Sequence, residues 1–322
     1  MIKKSILDII GNSPLVELSR ITKKHKLRGR ILAKLEYLNF GFSKKDRVAL
    51  QMILEAEEEG ILKPGQTVVE LTSGNTGIGL AIVCAIKGYK FVAIMSKGNS
   101  DERRLMIEAL GAEVVLVDQA TNSIKGEVSG EDLKLVEIKT QEVTKQRDAF
   151  RADQFNLKGN FNAYYLSTAP EIWNQTNGNF DGICDFVGSG GTFAGCSAFF
   201  KNKKPKLKCY VIEPKGAAVI AGKDIENPGH PIQGGGYSIQ NLKFIDKNNI
   251  DGFIEVTGKD AKFWANELAS VEGIFAGYSA GANLFGAVNL LGNEMINKTI
   301  VILICDSGLK YLSTDLWKKT VG

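Results

Sequence analysis

The sequence predicts an α/β protein of parallel sheets flanked by helices, divided into about two domains. Three observations carry that prediction. Short apolar runs of strand length alternate with longer segments of helical pattern along most of the chain, the order that builds βαβ units. Thirty-five glycines against seven prolines suit many tight strand-to-helix turns. The 322 residues, at roughly 150 per domain, are enough for two cores.

The elements follow in chain order. Residues 31–35 read as the first strand. Residues 46–59 form a helix, because Val48, Met52 and Ala56 fall at i, i+4 and i+8. Strand 67–71 leads through a glycine turn into helix 76–87; strand 91–95, helix 102–110 and strand 113–117 repeat the unit. The polar stretch 122–131 then runs into a charged helical pattern ending near Arg147, where the chain leaves one sheet layer for another. Helix 169–175, strand 183–187, helix 193–200, strand 209–212, helices 261–270 and 280–291, and strand 299–305 complete the alternation. No internal repeat is present.

Composition excludes several functions. The chain is 44% hydrophobic and 24% charged, which argues against disorder. A net charge of +4 is too small for a dedicated nucleic-acid binder; the basic runs 201–208 and 318–319 read as solvated surface. No run of about 18 apolar residues exists to span a membrane, and no apolar core follows the basic start, so neither a membrane partner nor a secretory signal is expected. Cys84, Cys184, Cys196, Cys209 and Cys305 are odd in number and too far apart for metal-ligand pairs; with only His25 and His230, no metal site is expected. The expectation is a reduced, cytoplasmic enzyme.

Three glycine-rich turns follow strands. The first, Thr72-Ser73-Gly74-Asn75-Thr76-Gly77, opens a helix, where unpaired amides and the helix dipole favour an anion and the hydroxyls add donors suited to a carboxylate. The second, Gly188-Ser189-Gly190-Gly191-Thr192, offers successive amides that can wrap a phosphate. The third, Gly277-Tyr278-Ser279-Ala280-Gly281, also opens a helix. None completes a P-loop or a dinucleotide fingerprint, which points to a phosphate-bearing ligand other than a nucleotide. Upstream, Ser43 and Asp46 have the spacing of a capping box, placing Lys44 and Lys45 in a first helical turn. There the dipole disfavours a cation and favours an uncharged amine able to attack a carbonyl.

Taken together, these motifs resemble the cysteine synthase / cystathionine β-synthase family of pyridoxal-phosphate enzymes. The matches run from Gly11-Asn12-Ser13-Pro14-Leu15 through Ser43-Lys44-Lys45-Asp46-Arg47, Thr72–Gly77, Gln154-Phe155, Gly188–Thr192 and Gln233-Gly234 to Ser307-Gly308. The resemblance implies two open, twisted, mainly parallel sheets flanked by helices (fold type II). It also implies a larger cofactor domain of residues 1–40 plus 153–322 and a smaller mobile domain of residues 41–152. By position it implies Lys45 as the Schiff-base lysine of pyridoxal 5'-phosphate, with Asn75 on the cofactor's hydroxyl oxygen. Gly188, Ser189, Gly190, Gly191 and Thr192 would cradle the phosphate, Gly277 would line the opposite side, and Ser307 would face the ring nitrogen. Thr72, Ser73, Asn75, Thr76 and Gln154 would receive the amino acid's carboxylate.

The sequence departs from the family at Lys44, usually apolar, and at Phe40 and Phe42, expected to bring bulk close to the cofactor. The implied reaction is β-replacement on a serine- or cysteine-type amino acid through an α-aminoacrylate, first of all O-acetylserine plus sulfide to cysteine plus acetate. The alternative is a cysteine β-lyase or cystathionine β-synthase-like enzyme releasing hydrogen sulfide from cysteine. Diaminopropionate- or cyanoalanine-forming relatives and a catalytically silent binding protein are further readings. The resemblance also implies a homodimer, with a small amino acid and sulfide or a thiol as its other partners.

Overall fold

The computed structural model describes residues 2–318 apart from Asn122, Lys125 and Val128, so the start of the polar stretch and Lys319 of the basic tail lie outside the described residues. Two sheets organise the chain. Strands β1 (Leu15–Glu17) and β2 (Gly29–Lys34), separated by helix α1 (Ser19–Lys24), lead into helix α2 (Lys45–Glu58). The chain then builds β3 (Thr67–Leu71), α3 (Asn75–Lys87), β4 (Lys90–Ser96), α4 (Asp101–Ala109), β5 (Glu113–Val117), α5 (Gly130–Gln146) and β6 (Phe150–Arg151). Helix α6 (Gly159–Ala163) continues through one wider turn into α7 (Ala169–Thr176). The remainder runs β7 (Gly182–Phe186), α8 (Gly191–Lys203), β8 (Lys208–Pro214), β9 (Gly252–Val256), α9 (Gly258–Glu272), α10 (Tyr278–Gly292) and β10 (Lys298–Leu303).

The six-stranded sheet has the order β1-β2-β10-β7-β8-β9, and only β1 runs antiparallel to its neighbour. The four-stranded sheet, β5-β4-β3-β6, is wholly parallel. Parallel strands covered on both faces need continuous apolar runs, and β7 is buried along its whole length. One charged residue, Asp185, interrupts that run. Helices α3 and α10 are apolar around most of their circumference because each is packed inside the molecule.

This topology positions the site. The two middle strands β3 and β7 end in the first two glycine turns, and ligands of open α/β sheets bind outside the carboxyl ends of the strands. Two expectations need correction. Ser43 Oγ does accept a hydrogen bond from the Lys45 amide, at 3.2 Å, but the Asp46 carboxylate accepts from the Gly41 amide instead of closing a capping box. The helix starts at Lys45, with Lys44 one residue outside it. The chain also does not leave the smaller sheet after Arg147, because β6 returns to pair with β3.

Candidate active site

Lys45 opens α2 at the floor of a cleft between the two sheets. Among the described residues no carboxylate holds its ammonium. Nζ donates to Ser189 Oγ at 3.1 Å and to Gln154 Oε1 at 3.2 Å. Burial, and next the like charge of Lys44, pull the amine down to about 7, so half of it is uncharged near neutrality. Lys44 has the opposite fate. Its Nζ lies 3.1 Å from Asp185 Oδ1. Burial works against the ammonium, but the Asp185 carboxylate holds it above its ordinary value. Two adjacent lysines that look equivalent in sequence are thus a reactive amine and a fixed cation.

The 188–192 turn lies against Lys45 and is packed without slack. A Cβ on Gly188 would fall 2.5 Å from the Gly234 carbonyl oxygen, and one on Gly191 would fall 2.2 Å from Asn160 Oδ1. Gly190 has φ +85°, which a side chain would strain. Helix α8 begins at Gly191, so the amides of its first turn have no intrahelical acceptor. Ser189 Oγ accepts from both Lys45 and Asn160 (2.9 Å to Asn160 Nδ2), leaving its own proton to donate.

The 72–76 turn faces it. Gly74 sits at φ +127° with its α-carbon pressed against the aliphatic part of Arg103, where a Cβ would come within 2.4 Å. Thr72 Oγ1 accepts from the amides of Gly74 and Gly77, so this hydroxyl builds the turn; Thr72 is not among the residues lining the cleft around Lys45. Ser73 and Thr76 do line it. Ser73 Oγ accepts from Tyr237 Oη at 3.1 Å, and Thr76 Oγ1 donates to Gln154 Oε1 at 2.8 Å. Asn75 also lines the cleft; its Oδ1 is taken by Lys310 and one Nδ2 hydrogen by Asp306, which leaves one hydrogen to donate.

Other expected residues lie elsewhere. Ser307 is not among the residues lining the cleft: its Oγ accepts from the Leu309 amide and caps the short 3-10 helix Gly308–Tyr311. Gly277 and Gly191 are also behind the lining; Gly277 packs on Asp306 and the Tyr311 ring, which a Cβ would meet at 2.3 Å. Phe40 and Phe42 turn outward, 38% and 41% exposed, and bring no bulk to the cleft. The hydroxyl that does reach the cleft is Ser279 of the third glycine turn, beside Cys305, Lys44 and Asp185. Its signal in sequence was present, a serine two residues into a glycine-opened helix. Asp185 also had a signal, since an acid inside a buried strand must find a partner. A vestibule of about 760 Å³ lies outside the cleft and shares Leu71, Phe155 and Tyr237 with it.

Pyridoxal phosphate fits these residues. It requires a lysine amine with a substantial uncharged fraction near neutrality for its aldehyde, and Lys45 has one. It requires an anion cradle, and the tightly packed turn at the start of α8 is one, within reach of the same lysine through Ser189. Fold and donor set together define a fold type II pyridoxal-phosphate-dependent enzyme.

Comparison with known proteins makes the assignment narrower. Residues 6–306 match the family described as pyridoxal-phosphate dependent enzyme. Cysteine synthase 3 of Caenorhabditis elegans is 40% identical over 317 residues, covering 98% of this chain and 90% of its own length. Among solved structures, the cysteine synthase of Entamoeba histolytica superposes with a TM-score of 0.90 at 34% identity, covering 100% of this chain and 93% of that one. A hydrogen sulfide-producing enzyme from Fusobacterium nucleatum superposes with a TM-score of 0.88 at 36% identity, covering 97% and 100%. The chain belongs to the cysteine synthase / cystathionine β-synthase family of pyridoxal-phosphate-dependent β-replacement and β-elimination enzymes.

Proposed function

We propose that the protein is a cysteine synthase, converting O-acetylserine and sulfide into cysteine and acetate. The observation that carries this reading is the Lys45 amine, about half uncharged near neutrality and set between a phosphate-type turn and a hydroxyl-bearing turn. The similarity to cysteine synthases over nearly the full chain supports it. Bound pyridoxal phosphate supplies an electron sink that labilises the α-proton of an amino acid and lets its β-substituent leave.

The residues divide that work. Lys45 holds the cofactor, and its amine takes the α-proton once the substrate has displaced it. The 188–192 turn binds the phosphate. Ser73, Thr76, Gln154 and the free Asn75 N–H receive the substrate's carboxylate, exchanging the bonds they now make with Tyr237 and one another. Ser279, which lines the cleft, would meet the ring nitrogen, whereas Ser307 caps the 308–311 turn. A neutral hydroxyl there does not hold that nitrogen protonated, which favours departure of the β-substituent over a long-lived carbanion.

A second reading is release of hydrogen sulfide from cysteine. The likeness to the hydrogen sulfide-producing enzyme of Fusobacterium nucleatum supports it. Incubating the holoenzyme with O-acetylserine plus sulfide, and separately with cysteine alone, ranks the two. Faster cysteine formation is expected; faster sulfide release from cysteine alone would establish the second reading instead.

A further inference from the structure

The Lys44–Asp185 ion pair has no role in the chemistry above, yet both residues line the cleft that contains Lys45. The pair is built with care. Lys44 and Asp185 side chains are 12% and 3% exposed, and removing two charges from water is costly unless geometry and further hydrogen bonds compensate. Asp185 is the penultimate residue of β7, and Asn283 of α10 donates to its Oδ1 at 3.3 Å. The same Asn283 side chain ties the site to Leu303 and accepts from the Phe186 amide at 2.6 Å. The Lys44 amide donates to the Cys305 carbonyl at 2.9 Å, fixing the backbone from which both lysines project.

We propose that Lys44, anchored by Asp185, is a positioning residue for Lys45: its ammonium stands beside the amine that takes the cofactor and occupies the Asp185 carboxylate, which would otherwise be open to that amine. This rests on Lys45 being the lysine that carries the cofactor. Attachment joins the Lys45 nitrogen to the cofactor's aldehyde carbon with loss of water, and only the uncharged amine has the electron pair to begin it. The other groups facing Lys45 do not replace Lys44. Cys305, pushed up to about 11 by burial, is a neutral thiol near pH 7. Tyr164, raised by burial, is a neutral phenol. Glu70 of β3 is engaged by Arg151 at 2.9 Å. Without Lys44, Asp185 would be free to pair with Lys45 and hold it as an ammonium.

The test uses enzyme stripped of cofactor, with the rate of attachment of added pyridoxal phosphate followed by visible absorbance across pH. The amine's value is lowered, so it is protonated below about 7 and attachment should rise with pH through that region. Lys44→Gln, whose amide can still donate to Asp185, should move the midpoint upward by about one pH unit or more, a roughly tenfold slower attachment at pH 7. The double variant Lys44→Met/Asp185→Asn removes both charges and should also move it upward, by less. Lys44→Arg keeps the cation and should leave it in place. An unmoved midpoint in Lys44→Gln, with the cofactor still mapped to Lys45, overturns the inference and makes the pair structural only. Mapping of the cofactor to Lys44 overturns the assignment of Lys45 itself.

Discussion

The two glycine turns that meet at Lys45 are held in different ways. The 188–192 turn is fixed by backbone and packing: Gly188 rests on the Gly234 carbonyl, Gly191 on Asn160, and Gly190 on Leu242 and Ile245. The 72–76 turn keeps its shape through Thr72, but its cleft-facing hydroxyls are held by single side-chain bonds, Ser73 to Tyr237 and Thr76 to Gln154. A net hydrogen bond of this kind is worth about 1 kcal/mol and can be traded for one to a ligand. Packing contacts cannot be traded. The first arrangement suits a group that stays through every turnover; the second suits one that enters and leaves.

Substitutions break or sharpen that contrast. The largest effect is expected at Gly188→Ala, whose new Cβ would lie 2.5 Å from a backbone oxygen that cannot move aside. Overpacking of this kind costs about 1–3 kcal/mol, so cofactor affinity measured by absorbance titration should fall about 10–100-fold. Unchanged affinity would mean that the turn is not rigid. On the opposite side, Thr76→Val keeps the shape and removes one hydroxyl. KM for the amino acid should rise about fivefold with cofactor affinity intact, the signature of a lost ligand contact. If instead the cofactor were lost and KM held, the assignments of the two turns would be reversed.

A subtler pair concerns the serines. Ser279→Ala should shift the bound cofactor's absorbance and lower kcat by about 3–5-fold, consistent with one neutral hydrogen bond. Ser307→Ala should leave both within about twofold, costing only the cap of a short helix. The reverse pattern would restore Ser307 to the ring nitrogen.

Much of this was readable locally. Strands 67–71 and 113–117 match β3 and β5 end to end, because each is an apolar run bounded by turn residues. Strands β1 and β6 escaped because, at three and two residues, they exist only by pairing with β2 and β3. Strand β9 escaped because it is an edge strand whose polar and exposed positions dilute the apolar signal. The site divides the same way. The turns and the paired lysines are contiguous in sequence, so their chemistry shows in the residues themselves. That Lys44 finds Asp185 across 141 positions, and that Ser279 but not Ser307 reaches the cleft, depends on how β7, α10 and β10 pack together. No spacing rule contains that information.

The division of labour between the adjacent lysines is tested most directly by reducing the holoenzyme with borohydride and mapping the peptide that retains the pyridoxyl group. The label should be found on Lys45, with Lys44 unmodified. A label on Lys44, or on a lysine outside this dipeptide, would contradict the assignment on which the proposed chemistry stands.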